Sequence, residues 1–151
     1  MTEIFFFALG LVNSISLILV FLIRKNKLAL LQRIGWLYLL LAVPAAYGLF
    51  LVRLEQKDAR YAIFFGIFLG FLVFEWLYDF LLKLNFRENW KRDWMWSVPY
   101  LGFYYAMNYG FVVMPWKTSV VWGLVMLVLF IVQIIVNIRS HPRTGRGTLV
   151  E

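Results

Sequence analysis

Five long apolar stretches, each separated from the next by a short polar connection, set the pattern of this 151-residue chain. They run Ile4–Ile23, Ile34–Val52, Tyr61–Leu82, Val98–Met114 and Ser119–Ile138. A helix needs about 20 mostly apolar residues to cross a bilayer, because each adds about 1.5 Å against an apolar core of about 30 Å. The pattern therefore predicts an all-α membrane protein, a compact bundle of five transmembrane helices. One domain covers residues 1–139, and residues 140–151 form a basic cytoplasmic tail. Short connections make successive helices antiparallel neighbours. The first stretch is too long for the apolar part of a secretory leader and no small-residue cleavage site follows it, so it is read as a span. The fourth stretch is the most polar. It holds Gly102, Tyr104, Tyr105, Asn108 and Gly110 and fits either a span or a re-entrant segment.

Composition agrees with lipid as the solvent. The chain is 63% hydrophobic and 15% charged, with mean hydropathy +0.77. A soluble domain is about 45–50% apolar and about 25% charged. So small a chain cannot hide that much apolar surface in a core of its own. Soluble-enzyme, nucleic-acid-binding and disordered classes are excluded on this ground. There is no Cys, which removes disulfides, iron–sulfur clusters and thiolate nucleophiles. The single His141 lies in the tail, so one chain cannot build a two-imidazole haem or a His-rich zinc site. No catalytic set, metal or cofactor is expected.

The net charge of +7 reports topology and anionic lipid headgroups. Arg24, Lys25, Lys27, Arg33, Lys83, Arg87, Lys91, Arg92, Arg139, Arg143 and Arg146 fall on one side of a five-span chain. Arg53, Lys57, Arg60 and Lys117 fall on the other. Basic residues accumulate in cytoplasmic loops, so the N-terminus is expected outside and the C-terminus inside. In a prokaryote this is the plasma membrane. Aromatic belts fit the same arrangement, with Trp36, Trp90, Trp94 and Trp96 at the inner interface and Tyr61, Trp116 and Trp122 at the outer one.

Polar residues inside the spans carry the candidate chemistry. Glu75 and Asp79 are spaced i, i+4 in the third stretch, which puts both on one helical face. A carboxylate at mid-bilayer costs about 2.5–3.5 kcal/mol on insertion scales and is functional by default. Gln133 and Asn137 repeat the spacing in the fifth stretch at matching depth. If the two faces meet, two amides confront two carboxyls. The arrangement is then either a polar lock with Glu75 neutral or a site for a proton, a cation or a cationic ligand. Asn13, Tyr104, Tyr105 and Asn108 are candidates to line a cavity.

Small residues mark helix seams. Gly66 and Gly70 in the third stretch, and Gly102, Ala106 and Gly110 in the fourth, are expected to face other helices. Pro44 should kink the second helix and leave the Leu40 carbonyl without its usual donor. Residues Leu84–Trp96 have the spacing of a short interfacial helix, in which Arg87, Trp90, Lys91 and Trp94 contact lipid headgroups. The sequence supports two function classes. One is a small subunit or assembly factor of a larger membrane complex, partnered by other subunits or by itself. The other is a small proton- or cation-linked transporter or ligand-binding protein centred on Glu75.

Overall fold

The computed structural model describes residues 1–26, 34–81 and 94–140. These are helical apart from tight turns, and no strand occurs among them. The elements are α1 (Thr2–Asn26), α2 (Trp36–Leu39), α3 (Ala42–Leu54), α4 (Ala59–Trp76), a π-helical turn (Leu77–Leu81), α5 (Trp94–Thr118) and α6 (Val120–Ser140). Four stretches, Thr2–Arg24, Trp36–Leu54, Ala59–Trp76 and Val120–Ser140, are long and apolar enough to cross a membrane. The chain is thus built as an integral membrane protein. The 25 residues of α5 give it about 37 Å of length, ample for a crossing. Its Tyr, Trp, Asn and Pro content is what lowers its hydropathy. It is one continuous helix.

Neighbours in sequence are neighbours in space. α1, α3, α4, α5 and α6 follow one another around the bundle, α6 closes back onto α1, and α5 also touches α1. α2 packs on α4. One end of the bundle carries Thr2, Glu55 and Ala59, and the other carries Trp36, Trp94 and Ser140; they are called the Glu55 end and the Trp94 end below.

Pro44 acts differently from the sequence expectation. The second span breaks at Leu40–Leu41, and α3 starts beyond it. The Leu40 carbonyl is not orphaned: Val43 N–H donates to it at 3.1 Å. Tyr38, Leu40 and Leu41 also bond three residues back, at 3.1, 3.1 and 3.2 Å. The backbone has tightened to i→i+3 pairing, which satisfies the carbonyl that the proline ring cannot serve.

The half of the core toward the Glu55 end is aromatic. Phe6 meets Tyr61, Phe65 and Phe111 at ring-centroid distances of 5.3, 5.0 and 5.1 Å, and Phe68 meets Phe111 at 5.3 Å. Edge-to-face pairs of this kind contribute about 0.5–1.5 kcal/mol each beyond area burial. Tyr61, in the first turn of α4, turns its ring into this cluster and is buried. Trp36, Trp94, Trp96 and Trp116 are exposed, and Trp122 stacks on Phe7 at 4.6 Å.

Glycines make the aromatic packing possible, and only some of the expected ones do so. Phe64 of α4 fills the place of a side chain on Gly110 of α5. Reciprocally, a Cβ on Gly70 of α4 would lie 2.7 Å from the ring of Phe103 on α5. Phe65 covers Gly48, and Phe111 lies 2.8 Å from a Cβ built on Gly10. Gly66 and Gly102 are corrections to the sequence reading. Both are exposed, and a Cβ on either meets nothing within 4 Å. The α4–α5 seam uses Gly70 and Gly110 instead, because each ring needs a socket opposite it.

The Glu55 end is tied by hydrogen bonds. Glu55 Oε2 accepts from Thr2 N–H and from Thr2 Oγ1, both at 3.0 Å. Lys57 Nζ reaches Glu3 Oε1 at 3.1 Å. Between α3 and α4 the chain reverses through Gln56, whose φ of +47° is left-handed. Lys57 N–H bonds the Val52 carbonyl at 3.1 Å across this residue, a helix stop that favours glycine. Asp58 then caps α4, its Oδ1 accepting from Arg60 N–H at 2.9 Å.

Two outcomes follow from this packing. Gly110→Leu should lower the melting temperature in detergent, since overpacking costs about 1–3 kcal/mol, whereas Gly66→Leu should leave it unchanged; an equal loss for both would contradict the socket assignment. The Thr2 backbone N–H, with help from its hydroxyl, holds the Glu55 carboxyl below the usual carboxylate range. A carboxyl lowered in the folded state contributes in full above that range and loses its contribution as pH falls through the lowered value. The melting temperature of wild type should exceed that of Glu55→Gln at neutral pH, and the gap should close below about pH 4.

Candidate functional site

The Trp94 half of the interior is polar where the Glu55 half is aromatic. Glu75 lies near the end of α4, where the helix gives way to the π-helical turn Leu77–Leu81. It is buried and turned toward α5, and Tyr100 donates its phenol hydrogen to Glu75 Oε1 at 2.5 Å. Rings enclose this pair: Phe71 lies 5.5 Å and Tyr78 6.3 Å from Tyr100. Tyr78 is itself held edge-on by Trp96 at 5.9 Å. A short O–H···O bond to a carboxyl is among the stronger hydrogen bonds available, and a low dielectric strengthens it.

One turn further along α5, Tyr104 donates to Gln133 Oε1 on α6 at 3.0 Å. On the other side of the bundle Tyr38 of α2 donates to Asn13 Oδ1 on α1 at 2.6 Å. Asn13 Nδ2 faces the thioether sulfur of Met107 at 3.9 Å. α1, α2, α4, α5 and α6 each supply a member of this polar layer: Asn13, Tyr38, Glu75, Tyr100 with Tyr104, and Gln133.

The expected direct meeting of Glu75 with Gln133 does not occur. α5 stands between α4 and α6, so each polar side chain finds a tyrosine of α5 instead. Tyr100 and Tyr104, four residues apart on one face, split between them the two partners that the sequence had set opposite each other. The expected Glu75–Asp79 face is also altered. Asp79 falls within the π-helical turn, where the α-helical i, i+4 register no longer applies. Its side chain and Lys83 lie outside what the structure describes. Asn137 is half-buried, and its backbone carbonyl accepts from Ser140 Oγ at 2.7 Å.

Of the cavity candidates, Asn13, Tyr104 and Asn108 are buried. Asn108 turns back on its own helix, its Nδ2 donating to the Tyr104 carbonyl at 2.9 Å. Tyr105 is 50% exposed and points out of the bundle, so it lines nothing in the interior. Trp94 is the first residue of α5 and is exposed. Arg87, Trp90 and Lys91 lie outside the described residues. Tyr38 and Tyr100 were missed from the sequence. Tyrosines near span ends read as belt residues, and only the fold shows their hydroxyls aimed inward.

The chain matches no protein-family model, no curated protein and no solved structure. The function must therefore be argued from the site. Chemically, the layer offers one carboxyl able to exchange a proton, phenols able to pass or donate one, and amides able to orient a polar group.

A double-mutant cycle tests the central pair. Tyr100→Phe and Glu75→Leu should each lower stability in detergent. The double variant should lose less than the sum, with a coupling of about 0.5–3 kcal/mol. Strict additivity would show that the two side chains do not interact.

Proposed function

We propose that this chain is a five-span membrane protein, N-terminus outside and C-terminus cytoplasmic, that binds or moves a proton or small cation at Glu75. The single observation that supports the reading is the burial of Glu75 inside the bundle on Tyr100, away from lipid. Interior carboxyls are costly in a membrane, and a chain keeps one where it has work for it. α5 makes the fifth crossing in this reading, and the basic residues of the loops at the Trp94 end set that end in the cytoplasm of a plasma membrane. Glu75 is then on the cytoplasmic side of the aromatic cluster around Phe6, Phe65 and Phe111. So densely packed an outer half favours a carrier or binding protein over an open pore.

A second reading, a subunit or assembly factor of a larger complex, is favoured by Gly66 and Gly102. Both leave open space on the outside of α4 and α5, where another helix can approach closely. Pull-down from mild detergent separates the two. A stoichiometric larger partner supports the subunit, and a pure homo-oligomer or monomer supports the carrier.

The direct experiment uses purified protein in vesicles holding an internal pH dye, with a potential or a cation gradient imposed. Wild type should give a gradient-dependent pH change. Glu75→Gln, which keeps shape and hydrogen bonding but has no titratable proton, should fold and give none. Identical responses from the two proteins would contradict the proposal.

A further inference from the structure

Two side-chain amides in the interior carry more donor capacity than the chain around them uses. Gln133 is fully buried, and its Nε2 has no hydrogen-bond partner, while its Oε1 takes the Tyr104 phenol hydrogen. Asn13 is fully buried as well. Its Oδ1 takes the Tyr38 phenol hydrogen, and its Nδ2 meets only the Met107 sulfur among the described residues. A thioether is a weak acceptor. The two tyrosine hydrogens are thus already committed, and what remains is a surplus of N–H donors.

These donors belong together in space. α1 and α6 pack against each other, and both rest on α5. Asn13 meets α5 at Met107, and Gln133 meets it at Tyr104, three residues away on the same face. That step is about 4.5 Å along the helix, so the two amides meet α5 at nearly one depth. Turning the Gln133 amide over does not remove the demand. Nε2 would then reach the phenol oxygen, but the phenol hydrogen would itself need an acceptor. A buried polar group without a partner is rare in native proteins, and such groups are met by ordered water or by a ligand.

We infer that Asn13 and Gln133, the latter held in place by Tyr104, donate to a neutral acceptor oxygen between α1, α5 and α6, supplied by an internal water or by the carbonyl or hydroxyl of a small lipid-soluble molecule. The amides and the phenol bear no charge, and a charged ligand here would lie buried without a counter-ion, which is costly. With an oxygen in place, Tyr38, Asn13, Gln133 and Tyr104 become one connected hydrogen-bonded chain beside Glu75. The inference goes beyond the Glu75 reading and does not rest on it, since it needs no group to titrate.

The test is nuclear magnetic resonance on protein labelled with side-chain ¹⁵N-glutamine in lipid nanodiscs. The chain has three glutamines, Gln32, Gln56 and Gln133. Gln133→Met removes the signal of interest directly, and should that variant fail to fold, Gln32→Glu and Gln56→Gly assign it by elimination. The Gln133 Nε2 hydrogens should show persistent transfer to a bound water, or contacts to hydrogens of a co-purified molecule that is neither protein nor bulk lipid. The first result assigns the oxygen to water, and the second assigns it to a ligand. Contacts to protein groups alone, or to lipid chains, would overturn the inference. Either result stands whether or not Glu75→Gln changes proton movement in vesicles.

Discussion

The structure turns on the cost of putting one carboxyl, Glu75, where lipid would otherwise surround it. Insertion scales set that cost at about 2.5–3.5 kcal/mol near mid-bilayer, so the side chain must have a partner in the protein. Tyr100 is that partner, at 2.5 Å. Reaching it requires α5 to lie against α4 with Tyr100 facing inward. The same rotation brings Tyr104 onto Gln133 and Met107 onto Asn13. One polar demand on α4 is therefore linked to the contacts that α5 makes with α1 and α6. The role of α5 also explains its composition. It is the least apolar of the long helices because its inward face serves the polar groups of its neighbours.

The other half of the molecule solves a different problem. Lipid gives helices no hydrophobic reason to associate, so their attraction comes from close contact. Here that contact is made by rings in glycine sockets, Phe64 on Gly110 and Phe65 on Gly48. Such packing excludes water from the Glu55 half. Any proton or polar ligand of the Glu75 layer then has its nearer solvent at the Trp94 end. The two halves of the core divide the labour between cohesion and chemistry.

The existence and rough limits of the helices could be read from the sequence because apolar length alone determines them. Glu75 stood out as well, since a carboxyl within FLVFEWLYDF is costly in a bilayer and needs either a buried partner or a role. Its partner could not be read. Depth matching pointed to Gln133, but depth says nothing about which helix stands between, and α5 does. Gly66 shows the same limit: a GxxxG spacing marks small residues, not which turn meets a neighbour. The break at Leu40–Leu41 and the π-helical turn after Trp76 are backbone adjustments that residue patterns do not encode. The hydroxyls of Tyr38 and Tyr100 were invisible because tyrosine near a span end fits a belt as well as it fits a core.

The claim on which all of this depends is that Glu75 sits inside the bundle on Tyr100. Carbon–carbon correlation spectra of protein labelled in glutamate and tyrosine, recorded in lipid bilayers, measure it directly. Glu75 Cδ and Tyr100 Cζ should show a strong cross-peak, consistent with carbons about 4 Å apart across a short hydrogen bond, and that cross-peak should vanish in Tyr100→Phe. A Glu75 carboxyl that instead correlates with lipid acyl chains and with no tyrosine would contradict the account.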